Sequence, residues 1–188
     1  MKVVMKLLTD TVFGDGKSLP GGEDISVLHD EDGFPYYRGD TLKGIFREEL
    51  INLLLWQEKS GQEAEEYANK LLGKSGDDII GGQKIEFSNL TIPAKVKNLV
   101  LKETGNAPET VLQSFTHLRK FTALDEEGTA KTGTLRVARC VNKGICLTGE
   151  IKCSPEQEEL VKEVLTQINW VGTMRNRGFG KVLIMEET

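Results

Sequence analysis

Residues 39–57 read GDTLKGIFREELINLLLWQ and predict a long helix around which the rest of the chain can be arranged. Asp40 or Thr41 can cap its start, because a side-chain oxygen at that position accepts hydrogen bonds from free backbone N–H groups. Apolar residues recur at spacings of three and four and form one face, namely Leu42, Ile45, Phe46, Leu50, Leu53 and Leu54. This helix therefore has one side that must be buried against other elements.

The segments outward from this helix alternate between strand and helix patterns. The strands are predicted from period-two alternation, the second helix from its Ser-Pro start, and one reversal of the chain from an Asn-Lys-Gly turn. They are strands at 2–13, 84–93, 135–141 and 145–152, a helix from 154 to about 170, and a strand at 181–185. The turn signal at 142–144 favours a β-hairpin between the third and fourth strands. The order matches the β-α-β-β-α-β arrangement of an α+β, ferredoxin-like or RNA-recognition-like fold.

Two stretches do not fit this core and are interpreted as insertions into a single domain spanning 1–188. Residues 58–79 are polar and rich in Glu and Lys, with a weak helical pattern, and predict an inserted surface helix. Residues 95–132 form the second insertion. Their first part, 95–113, has no clear period and is compatible with a loop or a projecting hairpin.

Composition excludes several classes of protein. The 188 residues include 24 Lys and Arg against 29 Asp and Glu, a net charge of −5, which excludes a uniformly basic coat but not a local basic strip. No apolar run approaches the length of a membrane helix. The three cysteines, Cys140, Cys146 and Cys153, are an odd number and lack zinc-site spacing, which favours free thiols in a reducing cytoplasm.

The segment 172–180, GTMRNRGFG, carries the strongest signal for ligand binding. Glycines permit tight turns, and the guanidinium groups of Arg175 and Arg177 match phosphate geometry. The loop follows a helix and precedes a strand, which is the reverse of a dinucleotide or P-loop fingerprint. It is either a cradle for a phosphate backbone or a connection whose arginines face solvent. Phe179 within it is either a base-stacking residue or an anchor in the core.

Other cations are distributed unevenly. Five of the seven arginines lie between residues 119 and 177, which indicates a focused anion-binding surface. Lys43 and Arg47 are four residues apart and share a face near the start of the first helix, where backbone N–H groups also favour anions. The alternative for this pair is a capped amphipathic helix with solvated charges.

Four blocks in the chain resemble the RAMP superfamily of CRISPR proteins, and within it the repeating backbone subunit of type III effector complexes. The blocks are residues 24–30 with 33–44, residues 80–82 before 84–90, residues 122–136, and the closing loop at 172–180. They occur in the family's order and span most of the chain. Arg38 stands where the family usually has proline.

The resemblance implies a ferredoxin-like core with a projecting thumb, in copies that stack along a CRISPR RNA guide beside other effector subunits. The thumb, here residues 116–136 with Lys120 and Arg136, would kink the guide–target duplex. Residues implied to hold the guide are Lys43, Arg47, Gly172, Arg175, Asn176, Arg177, Gly178 and Gly180. The resemblance also implies cytoplasmic RNA binding without a membrane.

By position, the family's catalytic aspartate is Asp24, so the resemblance implies Mg²⁺-dependent cleavage of the paired target RNA at this residue. A single carboxylate can hold Mg²⁺ when substrate phosphate and water complete the coordination, and Glu23 could assist. Two alternatives stay open: a non-catalytic RNA-binding subunit of the same complex, and a metal-independent guide-processing endoribonuclease using His29 or His117 as general base. A RAMP-fold protein that binds something other than RNA is a further alternative.

Overall fold

The computed structural model describes residues 1–14, 16, 23–73, 84–123 and 125–187. Most of the predicted loop at 14–22, the end of the predicted insertion at 74–79 and the Gly-Gly motif at 80–82 lie outside the described residues.

A four-stranded antiparallel sheet forms the core. Its strands are β1 (Lys2–Leu7), β2 (Glu86–Phe87), β5 (Cys146–Lys152) and β6 (Val182–Glu186), in the spatial order β2-β5-β1-β6. The first strand lies between the third and fourth core strands, with Val4 opposite both Thr148 and Met185. This is the strand order of a ferredoxin-like sheet, so the predicted fold is confirmed.

Two helices cover one face of this sheet: α1 (Gly39–Trp56) follows β1, and α5 (Glu158–Gln167) precedes β6. Alternate residues of β1, such as Val3 and Met5, are fully buried, as is the apolar stripe of α1 around Phe46. A third helix, α2 (Gly61–Leu72), packs on α1 and begins with a capping box between Ser60 and Glu63. The core therefore lies between the sheet and the helices.

The chain between β2 and β5 forms a second unit of structure, with α3 (Ala94–Thr104), α4 (Pro108–Phe115), β3 (Thr116–Phe121) and β4 (Arg136–Val141). Residues 95–113, expected to be a loop or hairpin, are thus mostly two helices. No residue of α3 is fully buried, but its half-buried Val100 and Leu101 pack against the main core.

The predicted hairpin between 135–141 and 145–152 is wrong in its pairing. The Asn142–Gly144 turn is present, with a φ of +87° at Gly144, but β4 pairs with β3 in a two-stranded sheet and β5 pairs with β1 and β2. The turn therefore carries the chain from one sheet to the other. Within the described ranges, no helix is long and apolar enough to cross a membrane.

Candidate functional site

A groove of about 870 Å³ lies where the loop after α5 meets β4 and residues 24–25, which lie between β1 and α1. We call it the arginine groove because three arginines line it with one aspartate. Its lining residues are Asp24, Ile25, Arg136, Gly172, Thr173, Met174, Arg175, Asn176 and Arg177. The structure therefore brings together segments that are far apart in sequence.

Backbone hydrogen bonds fix the loop at 172–180 at both ends. The N–H of Val171 donates to the carbonyl of Gly180 (2.8 Å), and the N–H of Gly180 donates to the carbonyl of Asp10 (3.0 Å). The N–H of Thr173 donates to the carbonyl of Val12 (3.1 Å). The tip, Arg175–Arg177, is one turn of 3₁₀-helix closed by Gly178, and it leaves Arg175, Asn176 and Arg177 exposed.

Two aromatic rings and two guanidinium groups join this loop to β3. The guanidinium of Arg177 lies 5.5 Å from the ring centre of Phe121, which meets Phe179 edge-on at 5.6 Å. Arg119 lies over the Phe179 ring at 5.5 Å. Since Phe179 is only 5% exposed, it anchors the loop in the core and does not offer a free ring for base stacking. The cation–π contacts help to orient both arginines.

Asp24 lies at one edge of the groove and is tied to β4. Its Oδ2 accepts a hydrogen bond from the N–H of Val137 (2.7 Å), and its Oδ1 lies 3.3 Å from Nη1 of Arg136. These contacts, the backbone N–H first and the guanidinium after it, lower the pKa of the Asp24 carboxyl below its ordinary value. The carboxylate is therefore charged at neutral pH.

Replacing Asp24 by Asn should reduce stability in a pH-dependent way. Because the pKa of the folded-state carboxyl is lowered, its stabilising contribution is present above the unfolded-state pKa and is lost as the pH falls through the folded-state value. We expect Asp24→Asn to unfold at lower urea concentration than the wild type at pH 7, with the difference beginning to shrink at about pH 4 and disappearing only below the lowered folded-state pKa. A difference that stays constant with pH would contradict this account.

Glu23, the residue before Asp24, is buried and paired. Its Oε1 accepts from Nε (2.7 Å) and Nη2 of Arg139, and Nη1 of that arginine donates to Thr116 Oγ1 (3.1 Å). The other oxygen, Oε2, is buried with no hydrogen-bond partner among the described residues. Glu23 therefore anchors the segment of Asp24 to β4, and its carboxylate is not among the groups that line the arginine groove.

A metal site at the groove would depend on Asp24. The described residues contain no group of three or more His, Cys, Asp or Glu placed to hold a metal ion. Asp24 is 36% exposed and retains lone pairs beyond those used by Val137 and Arg136. These residues fit Mg²⁺ only as a one-carboxylate site in which phosphate and water supply the remaining ligands.

The two cations predicted on α1 lie away from the groove. Arg47 donates to Asn69 Oδ1 (2.8 Å) and to the carbonyl of Gly73, so it caps the end of α2. At 3.6 residues per turn, Lys43 lies about 200° around the helix from Thr41, which faces the loop at 172–175. The spacing of Lys43 and Arg47 reflects a shared face that is directed toward α2.

The cations of the hairpin are divided between its two faces. Arg136 lies opposite Phe121, on the face that carries the aromatic contacts, whereas Lys120 lies opposite Val137 on the other face. The sequence analysis counts Arg119 in the arginine cluster but does not single it out as a site residue, whereas the structure places it against the loop. Its period-two spacing from Phe121 was the available signal, because side chains two apart in a strand share a face.

Both histidines lie outside the arginine groove. His29 places Nδ1 2.8 Å from the carbonyl of Asp30, and His117 lies 2.6 Å from Asn142 Oδ1 and 3.5 Å from Asp10 Oδ2. Neither is among the residues that line the groove. The geometry thus offers no support for a histidine acting on a backbone bound there.

The fold and the site together define a ferredoxin-like protein with a cationic groove formed by a glycine-rich loop and an inserted pair of strands. A family model of the RAMP superfamily matches residues 4–183. The chain belongs to the RAMP superfamily.

Two solved structures show the same fold at low sequence identity. A chain of type III-B Cmr-beta bound to cognate target RNA, solved by cryo-EM, aligns with a TM-score of 0.67 at 12% identity and covers 97% of this chain and 95% of that chain. A chain of type III-B Cmr-beta in the apo state aligns with a TM-score of 0.62 at 12% identity, covering 98% and 95%. No curated protein sequence matches.

Proposed function

We propose that this chain is an RNA-binding subunit of a CRISPR type III effector complex and that the arginine groove holds the phosphate backbone of the guide RNA. The observation that carries the proposal is the convergence of Arg136, Arg175 and Arg177 on one groove with a single carboxylate. Guanidinium groups bind phosphate oxygens in a forked geometry that suits a continuous backbone. The two cryo-EM relatives, one bound to target RNA, support this assignment.

Within such a complex the chain would contact guide and target RNA and other effector subunits, with copies stacked along the guide in the cytoplasm. The uneven charge supports a two-sided molecule. The chain is acidic overall, at −5, whereas the groove carries three guanidinium groups. A local excess of positive charge attracts RNA to the groove, and the acidic remainder discourages binding elsewhere.

The double substitution Arg175→Ala/Arg177→Ala should weaken binding of single-stranded RNA. An arginine that neutralises a phosphate releases a condensed counterion, and the alanine variant releases none at that position. We therefore expect affinity to fall by about tenfold or more and the salt dependence of log K to become shallower by roughly 1.4 for two phosphates. Fluorescence anisotropy with a labelled oligonucleotide at several salt concentrations measures both quantities.

The matched control is Lys70→Ala, which removes an exposed cation from α2. It should leave both the affinity and the salt slope unchanged. If Lys70→Ala weakened binding as much as the arginine substitutions, RNA would be attracted by overall charge and the groove would not be the site.

As a second candidate activity we propose Mg²⁺-dependent cleavage of the paired target RNA at Asp24. The position of Asp24 at the edge of the groove and its lowered pKa favour it, because a metal-binding carboxylate must be charged. When bound, Mg²⁺ would supply Lewis-acid stabilisation of the phosphate. Asp24 would hold the ion, while Arg136 and the loop arginines would position the RNA backbone.

We expect Asp24→Ala and Asp24→Asn to reduce cleavage in the assembled complex with Mg²⁺ by at least about a hundredfold while guide binding persists. The matched control is Asp32→Asn, an exposed carboxylate in the turn before α1, which should cleave normally. Unchanged cutting by both Asp24 variants would leave the non-catalytic RNA-binding role. Cutting that continued in EDTA would contradict the metal dependence.

A further inference from the structure

A second cleft, of about 400 Å³, adjoins the arginine groove at Arg175, which lines both spaces. The other residues that line it are Glu49, Gln167, Asn169, Trp170 and Lys181. The cleft therefore lies between α1, the end of α5 and the start of β6. Its volume falls within the range of sites that bind small ligands, and none of the interactions proposed above uses these other residues.

Trp170 presents an accessible indole in this cleft. Because α5 ends at Gln167, Trp170 lies beyond the helix, and it is 38% exposed. Among the described residues, no aromatic ring stacks on the indole and no cation lies over it. Phe179 differs on both counts, because it is buried and is already covered by a ring and a guanidinium. The indole of Trp170 can therefore be contacted by a ligand.

Backbone pairing fixes Lys181 beside this indole. Trp170 and Lys181 lie opposite each other in an antiparallel bridge, and the flanking backbone N–H groups donate across it at 2.8 and 2.9 Å. The two residues themselves exchange no hydrogen bond, and in such a pair the opposite side chains share one face and approach most closely. The side chain of Lys181 therefore starts next to the ring of Trp170.

The charged groups of the cleft favour an anion. Arg175 and Lys181 are both exposed, and within the described part of the chain neither forms a salt bridge. Glu49 lines the helix side of the cleft, is half-buried, and accepts a hydrogen bond from Asn52 Nδ2 (3.4 Å). Two cations against one carboxylate leave the cleft with an excess of positive charge, which attracts a phosphate.

We propose that this cleft takes one unstacked nucleobase of the RNA whose backbone lies in the arginine groove, an inference that rests on the proposed function. The base would stack on Trp170, and Arg175 and Lys181 would bind the phosphates on either side of it. The Gln167 amide and the Glu49 carboxylate would accept or donate hydrogen bonds at the polar edge of the base. Proteins commonly hold single-stranded RNA by such a combination of cations and an aromatic ring.

The position of the cleft favours RNA over a protein partner. Because Arg175 lines both spaces, a strand that leaves the groove enters the cleft directly. A protein segment that covered the indole would also have to supply carboxylates for Arg175 and Lys181. An RNA strand carries phosphates on both sides of every base, so it matches the two cations and the ring at once.

The binding test compares a short RNA with an abasic oligonucleotide of the same length, which keeps the phosphates and lacks the bases. Trp170→Ala should weaken binding of the RNA by roughly 5- to 100-fold, the value of one stacked base. Trp170→Phe should recover part of this loss, because it restores an aromatic ring. Both variants should bind the abasic strand, which uses only the groove, as the wild type does, and this binding reports that they are folded.

The matched control is Trp56→Ala, which removes an indole that is 78% exposed at the end of α1 and does not line the cleft. It should bind both strands normally. If Trp170→Ala weakened RNA and abasic binding equally, the indole would only support the loop, and the base site would be wrong. RNA binding that was unchanged in Trp170→Ala would also overturn it.

Fluorescence reports occupancy of the cleft directly. The chain has two tryptophans, so Trp56→Phe leaves Trp170 as its one indole fluorophore. RNA should quench this emission over the concentrations at which anisotropy reports binding, and the abasic strand should not. Emission that stayed unchanged with RNA bound would overturn the base site while the groove assignment stood.

Two further outcomes would identify a different ligand and overturn the proposal. Quenching of Trp170 by a free nucleoside monophosphate but not by RNA would exclude the RNA as the source of the base. If Trp170→Ala bound RNA normally but no longer entered the assembled complex, the indole would contact a protein partner.

The proposed function fails differently. If neither strand bound, or if Arg175→Ala/Arg177→Ala left both affinities unchanged, the groove assignment would fall and the base site with it. The two failures are therefore distinguishable by the abasic strand alone.

Discussion

Gly180→Ala is expected to destabilise the protein by at least about 3 kcal/mol and to abolish RNA binding by the arginine groove. A Cβ at this position would lie 2.0 Å from the carbonyl oxygen of Val171, and the backbone φ is +84°. The carbonyl of Gly180 also accepts the hydrogen bond that closes the loop. Neither backbone group can move away without breaking the closure, so the whole loop must shift. Urea unfolding measures the loss.

Gly178→Ala is the matched control in the same loop. Gly178 has nearly the same backbone angle, with a φ of +80°, but a Cβ there meets nothing within 4 Å. It should therefore cost only the left-handed backbone penalty of about 1 kcal/mol and keep most of the RNA affinity. If the two variants lost equal stability, the crowding against Val171 would not be the cause.

The sequence predicted the parts of the fold whose side chains face a core. β1, α1, α5 and β6 each present a periodic row of apolar residues to the main core, and periodicity is what sequence reading detects. The predicted order of these elements also placed β1 within the sheet, because a chain with the β-α-β-β-α-β order can form a sheet in only a few strand arrangements.

The missed helices carry a weaker form of this signal. α3 buries no residue fully and turns half-buried Val100 and Leu101 to the core, and α4 buries Val111, so each short helix leaves only a faint apolar period in the sequence. The pairing of β4 failed for a different reason. A turn such as Asn142–Gly144 specifies a reversal of the chain, but tertiary contacts with β1 and β3 select the strand partners. Local sequence could not choose between them.

Several residues named from the sequence lie together in the structure. The loop at 172–180, Asp24 and Arg136 line one groove. These segments are far apart in the sequence, so only the resemblance could link them beforehand, and their roles toward RNA stay predictions. Arg47 illustrates the limit. Its i, i+4 relation to Lys43 is real, but a helix face near an N-terminus can be directed at a neighbouring helix as easily as at a ligand.

Breaking the buried pair of Glu23 and Arg139 should cause the second large loss in the free energy of unfolding. The side chains are only 12% and 15% exposed, so either Glu23→Leu or Arg139→Met leaves one buried charge without its partner. Breaking such a pair costs about 3–5 kcal/mol. By contrast, the exposed pair of Lys152 and Glu86, at 70% and 57%, should cost less than about 1 kcal/mol when broken.

The double variant Glu23→Leu/Arg139→Met tests whether the single variants lose stability because a buried charge is left without its partner. If the cost of each single change is an uncompensated buried charge, the double variant should regain most of the lost stability, and a double-mutant cycle should give a coupling energy of several kcal/mol. Since Glu23 adjoins Asp24, each single change should also displace the edge of the arginine groove and weaken RNA binding, and the double variant should restore it. A double variant that folded well but bound RNA weakly would show that the pair itself, beyond its charge balance, positions Asp24 and Arg136 for the RNA.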